Sequence, residues 1–399
     1  MSTDLTAGLR AAAHAVTPIG WFAVGAAVVL LPLGLALGWA EFAGAGFLAL
    51  ALLALTAPFL LGGGAYRIEV ELPADRVVAG TQVDAVLRVA NASRRLELPG
   101  RIELPLGAGL VELWVPLLRP HRSHAVSVPV PALRRGVVDV GPVRAVRGDP
   151  LGLLRRELAW AGVQRLFVHP VTAVVPSTTT GFVHDLEGAA TREVVVDDLA
   201  FHSVRPYAAG DTLRSIHWKS TAKTGSLMVR QFEESRRSRL GVVLALREDE
   251  FGDGDGFETA VSAAGSLGLR AIRDGRDLAV IAPGARRGIR ELSVVSGRAL
   301  LDELSLVERG ADAVAVESAC ALAGRAVPDL SIAFAVVGSG VGVRRLRALQ
   351  LRFPRGVQLV VVVCDPDAAP GLRVLGGTPV FTVALLDDLP PLLAKAAAR

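Results

Sequence analysis

Between residues 205 and 234 the chain reads RPYAAGDTLRSIHWKSTAKTGSLMVRQFEE, and the residue types able to do chemistry crowd there. Lys219 and Lys223 are two of three lysines in 399 residues, and Tyr207, Asp211, His217 and Trp218 stand beside them. Asp211, His217 and Lys219 are of the types that proton transfer or nucleophilic attack uses, so a hydrolase or transferase is one reading of the stretch. Charge offers another. From 205 to 239, eight basic residues (Arg205, Arg214, Lys219, Lys223, Arg230, Arg236, Arg237, Arg239) face three acidic ones (Asp211, Glu233, Glu234). The balance of +5 suits an acidic partner or a phosphate. The plainer expectation is structural: Asp211 pairs with Arg214 or Arg205, and Trp218 fills a gap between domains. Asp211 after Gly210 is placed to cap a helix over TLRSIHWKSTAKT that Gly225 closes, with SLMVRQFEE as the strand after it.

Other candidates reduce to simpler readings. REDEFGDGDGFE (247–258) holds Glu248, Asp249, Glu250, Asp253, Asp255 and Glu258, but not at the spacing of an EF-hand, and reads as a solvated acidic loop. VVGSGVGVRRLR (336–347) lies between a strand and a helix like a dinucleotide fingerprint, yet the third glycine falls on Val343, so a tight turn is expected. The histidines at 14, 121, 124, 169, 184, 202 and 217 never form HExxH, and neither a Walker A run nor a GxSxG elbow occurs. No metal site, catalytic residue or cofactor is expected. Cys320 and Cys364 read as buried, reduced thiols.

The elements that must position these residues are written in changing periods. Residues 19–40 and 42–61 carry no charge, and each is about the ~20 residues that cross a bilayer, with only Glu41 between them. A transmembrane helical hairpin at a cell membrane is expected over 1–65. Arg10, Arg67 and Arg76 flank it while the turn has no basic residue, which puts both termini and the bulk of the chain in the cytoplasm. From 66 to 175, period-two runs such as YRIEVELP, TQVDAVLRVAN, LPGRIELPL, HAVSVPVPAL and GVVDVGPVRAV predict a β-sandwich. Residues 176–238 form a linker around the opening stretch. From 239 to 399, continuous apolar runs (LGVVLAL, DLAVIAP, LSIAFAVVG, VQLVVVVC, PVFTVALL) alternate with helical spacing and predict an α/β doubly wound sheet. Its ligand-binding positions would be the carboxyl ends of the strands. A formal charge of +4 is too small to argue for nucleic acid.

The opening stretch also resembles the signature of the bacterial family called domain of unknown function fifty-eight. The matching residues are Arg205, Tyr207, Gly210, Asp211, Arg214, Ile216, Trp218, Ala222, Gly225, Val229 and Phe232; His217 departs from the Asp usual there. RRGVVDVGP (134–142), DPLGL (149–153) and the paired spans extend the resemblance. It implies that 239–399 is von Willebrand factor A-like, with Ala245, Arg247 and Asp249 at the family's metal-ligand positions and the site therefore degenerate. It further implies a non-enzymatic membrane component working with a MoxR-type AAA+ ATPase. Arg205, Tyr207, Gly210, Asp211, Arg214, His217, Trp218, Lys219, Lys223 and Gly225 are then the candidate partner surface.

Overall fold

The computed structural model describes residues 15–60, 66–149, 151–159, 162–176, 199–208, 211–212, 215–234, 239–252, 254–284 and 288–397. The chain divides into two compact units, Met1–His169 and Pro170–Arg399.

The first unit opens with two apolar helices, α1 (Pro18–Leu37) and α2 (Ala40–Thr56). The Thr17 hydroxyl caps α1 by accepting the Gly20 N–H at 3.0 Å, and Pro18 suits a first turn. Gly38, at φ 71°, ends the helix in the left-handed region. The helices approach closely at small residues. A Cβ on Gly34 would lie 2.3 Å from the Ala43 nitrogen, and one on Gly46 2.6 Å from that of Leu31. Among the described residues, α1 alone is long and apolar enough to cross a membrane. The segment expected to span at 42–61 is a 17-residue helix followed by a 3-10 turn, Ala57–Leu60.

Strands β1 (Tyr66–Glu71), β2 (Arg76–Val78), β3 (Val83–Asn91), β4 (Gly100–Leu106), β5 (Gly109–Val115), β6 (Ser123–Val130), β7 (Gly136–Val140), β8 (Arg144–Gly148), β9 (Arg155–Ala159) and β10 (Gln164–His169) complete this unit. One sheet runs β1-β3-β6; the other runs β2-β10-β7-β4-β8-β9, with β5 paired on β4. Period-two alternation sends Val83, Ala85, Leu87 and Val89 of β3 into one core with Ile102, Leu104 and Leu106 of β4 and Leu166 and Val168 of β10. GVVDVGPVRAV, expected as one strand, is two: Gly141 turns the chain at φ 96°, and Pro142 has no N–H to give a ladder.

In the second unit β11 (Leu199–Pro206) pairs antiparallel with β12 (Met228–Glu234), and α3 (Trp218–Thr224) lies between them in sequence. Then follow β13 (Arg239–Leu244), α4 (Gly254–Arg273), β14 (Leu278–Pro283), β15 (Ile289–Leu292), α5 (Gly297–Ser305), α6 (Val316–Ala326), β16 (Leu330–Gly338), α7 (Val343–Leu349), β17 (Gln358–Cys364), β18 (Gly371–Leu375), β19 (Thr378–Val383) and α8 (Leu389–Ala397). The sheet order is β15-β14-β13-β16-β17-β19-β18. Its five inner strands are parallel and both edges antiparallel. β13, β14 and β17 are buried almost end to end because helices cover both faces, which is why they read as unbroken apolar runs. Cys320 and Cys364 are buried free thiols, and burial pushes the Cys364 thiol up to about 12 and that of Cys320 higher still.

Candidate functional site

The β11–β12 ribbon is the frame of the signature. Arg205 sits opposite Val229 and Pro206 opposite Met228, and the Tyr207 N–H donates to the Leu227 carbonyl at 2.8 Å, so the ribbon zips shut before the chain loops out. Within the loop Arg205 grips both oxygens of Asp211, at 2.8 and 2.7 Å, and the Ala208 N–H donates to the same carboxylate at 2.8 Å. The Arg205 hydrogen bonds hold the Asp211 carboxyl below its ordinary range. Of the two partners that the sequence offered Asp211, the structure places Arg205; Gly210 and Arg214 lie outside the described residues.

Helix α3 starts later than expected and is not capped by Asp211. Ile216 forms a bridge with Val229, and the His217 N–H donates to the Met228 carbonyl at 2.8 Å, which holds both residues extended against β12. The helix begins only after them. His217 is its cap: Nδ1 accepts the Ser220 N–H at 3.2 Å and lies 2.7 Å from the Ser220 hydroxyl. Gly225, at φ 72°, closes the helix as the sequence predicts. The Thr221 hydroxyl then accepts the Met228 N–H at 3.0 Å and ties the helix back to the ribbon.

Trp218 fills no gap. It is 68% exposed, while Ile216 and Val229 are the buried pair beneath it. The correction follows from the late helix start: once 216 points into the ribbon, 218 on the first turn points away. Lys219 and Lys223 are also exposed, and Tyr207 is half-buried. The signature therefore presents an aromatic ring and two ammonium groups on a short, well-anchored helix. Asp211 and His217, wanted together by a catalytic reading, serve different partners, Arg205 and Ser220.

A second polar cluster stands beyond the carboxyl end of the inner strand β13, and sequence reasoning missed it. The acidic run read as a solvated loop contains Glu250, which is wholly buried. Its Oε1 accepts the Val316 N–H at 2.9 Å and a hydrogen bond from Arg345 at 2.6 Å, and Arg345 also binds both oxygens of Glu317. Glu250 Oε2 has no hydrogen-bond partner among the described residues. Burial pushes the Glu250 carboxyl above the usual range in spite of Val316 and Arg345, whereas Arg345 pulls that of Glu317 below it. Helix α6, absent from the sequence reading, brings Val316 and Glu317 here. Its Ala315 cap offers no side-chain hydrogen bond that would have announced it.

The glycines at 338–342 have their reason in the same place. A Cβ on Gly338 would lie 2.4 Å from the Glu250 carbonyl oxygen, and one on Gly340 2.3 Å from that of Asp249. They make room for the 249–251 backbone, as a tight turn requires. Ala245 is buried, and Arg247 is paired with Asp249 at 2.9 Å. Among the described residues no group of three or more His, Cys, Asp or Glu side chains is arranged to hold a metal.

Residues 203–299 match the family model described as protein of unknown function DUF58, which takes in the signature and the first strands of the α/β sheet. The uncharacterized protein YeaD of Bacillus subtilis (strain 168) is 27% identical over 185 residues. That match spans 46% of this chain and 44% of the relative's length. Solved structures similar to parts of the chain include the CARDB domain of the PF1109 protein from Pyrococcus furiosus (13% identity, 26% of this chain, 91% of that one, TM-score 0.20). Another is the sporulation control protein Spo0M from Bacillus subtilis (17% identity, 26% of this chain, 49% of that one, TM-score 0.18). At such scores neither bears on fold or activity.

Proposed function

The chain is a member of the DUF58 family, and on that premise we propose that it is a non-enzymatic, membrane-anchored adaptor whose partner is a cytoplasmic MoxR-type AAA+ ATPase. The observation that carries the reading is the platform of α3: exposed Trp218, Lys219 and Lys223 on a helix fixed from below by Ile216, Val229 and Thr221. Interfaces concentrate their binding energy in preorganised aromatic anchors, and basic neighbours steer an acidic partner onto them. Membrane anchorage is supported by the outward faces of α1 and α2, where Phe22, Val28, Leu35, Leu48 and Leu55 stand more than half exposed and want lipid around them. Close approach at Gly34 and Gly46 is the packing that paired membrane helices use. On this reading both helices span, and residues 66–399 lie in the cytoplasm.

The second unit is read as von Willebrand factor A-like. Its sheet supports this, with the first strand β13 inside it, β14 and antiparallel β15 on one side, and β16, β17, β19 and antiparallel β18 on the other. Arg345 stands among carboxylates at the strand ends, so the adaptor is taken to work without a divalent cation.

The test is retention of purified MoxR-type ATPase by the full-length chain in mild detergent. Retention by the wild type and its loss in Trp218→Ala and in Lys219→Ala with Lys223→Ala, at unchanged melting, is the expected result. Retention by both variants removes α3 as the contact, and failure of the wild type removes the adaptor. The enzyme reading has one observation of its own, the 2.7 Å contact of the Ser220 hydroxyl with His217 Nδ1. It requires that a fluorophosphonate label Ser220 and that Ser220→Ala abolish the labelling.

A further inference from the structure

The DPLGL run of the sequence plays no part in the α3 platform, yet the structure builds it with care. The buried Asp149 carboxylate accepts the N–H groups of Leu151, at 2.8 Å, and Leu154, and Gly152 turns the chain at φ 70°. Leu153 and Leu154 point inward, while Leu151 is left 51% exposed at the tip. Onto this turn the start of α1 is seated by backbone and side chain together. The Thr17 N–H donates to the Leu153 carbonyl at 3.0 Å, the Thr17 hydroxyl to that of Gly152 at 2.7 Å, and Val16 bridges Leu154. The fit has no slack: a Cβ on Gly20 would lie 2.0 Å from the Leu153 oxygen. The Ala57–Leu60 turn after α2 lies alongside β8, so both outer ends of the helix pair converge on the β8–β9 hairpin.

We propose that Asp149 and residues 151–154 form a membrane-interface socket, which seats the start of α1 and rests exposed Leu151 on the headgroup layer of the bilayer. The inference rests on the membrane reading of α1 and adds a lipid-contacting surface to it. Its logic is one of depth. An apolar helix of 20 residues matches the hydrocarbon thickness, so its capped first residue sits at the water boundary. Whatever is hydrogen-bonded to that residue sits there too. Leu151 then enters the interface, and the exposed Arg156 at the start of β9 offers a cation to lipid phosphate. The socket fixes the first unit's sheets against the membrane surface in place of a flexible tether.

The experiment uses the full chain in vesicles of phosphatidylcholine and phosphatidylglycerol, with an environment-sensitive fluorophore on Leu151→Cys. The two native thiols are buried and barely ionised, so they do not compete for label. Nitroxide lipids labelled near the headgroup are expected to quench the fluorophore, and aqueous iodide to quench it poorly. Gly20→Val, or the milder Thr17→Val, is expected to reverse both. Phe22→Cys carries a second label on α1 and should be quenched by nitroxide lipids in every variant. A Leu151 label open to iodide and untouched by lipid quenchers, while the Phe22 label is quenched, overturns the socket and leaves the membrane reading standing. If neither label meets lipid, the membrane reading fails and the socket with it.

Discussion

Two of the arginine–carboxylate assemblies in the second unit differ in almost everything but chemistry. Arg205 and Asp211 are six residues apart, exposed or half-exposed, and joined by two well-aligned hydrogen bonds. Arg345 gathers Glu250, 95 residues away, and Glu317, 28 away, and Glu250 is fully buried. Water screens the first assembly and competes for it. In the second, Glu250 is taken out of water and depends on its partners for solvation, so the loss of Arg345 leaves a buried charge uncompensated. The same pair of functional groups thus shapes a surface loop in one place and locks the end of a sheet in the other.

The largest effect should come from the buried assembly. Arg345→Ala strands Glu250 beside Glu317 and is expected to cost about 3–5 kcal/mol, toward the lower figure because a third of the arginine meets solvent. Chemical denaturation of the full chain in detergent measures it, with Arg205→Ala expected to lose far less. Equal losses in the two variants would break the comparison.

Next comes the support beneath the platform. Ile216→Ala removes a buried side chain from a small ribbon that can partly collapse, for about 2 kcal/mol. Trp218→Ala, at an exposed site, should stay within ~0.5 kcal/mol. A larger loss at 218 than at 216 would return the tryptophan to a structural role.

The pH dependence separates Glu250 from the other two carboxylates by sign. Asp211 and Glu317 have lowered carboxyl pKa values, so their contributions are complete above the ordinary carboxylate range of about 4 and fade as the pH falls below it. Glu250 is raised. Its contribution is complete below about 4 and lost as the pH rises through its folded value. Melting temperature followed across acid pH should therefore fall less steeply toward acid in Arg205→Ala. In Glu250→Gln the loss with rising pH should flatten. The smallest thermal effect belongs to Lys219→Ala with Lys223→Ala, within ~0.5 kcal/mol, although this pair is expected to abolish ATPase retention.

What the sequence by itself determined is what repeats locally. Alternation placed β1, β3, β4 and β6, unbroken apolar runs placed the parallel strands, and glycine placed the end of α3 at Gly225, because periodicity and left-handed φ are properties of a few neighbouring residues. Asp211 and Arg205 were legible as partners for the same reason. The short edge strands β15 and β18, the hairpin strand β5 and helix α6 were not, since pairing or packing supplies what their few residues and weak caps do not signal. Tertiary structure alone decided that α3 begins at 218, because Ile216 and His217 are held by a strand that comes later in the chain. It alone made an acidic run into a buried anchor. Glu250 looks solvated beside Glu248 and Asp249, and becomes buried only when Val316 and Arg345 arrive from 66 and 95 residues away. Whether a charge lies in water or in protein depends on which segments converge on it, and no local pattern carries that information.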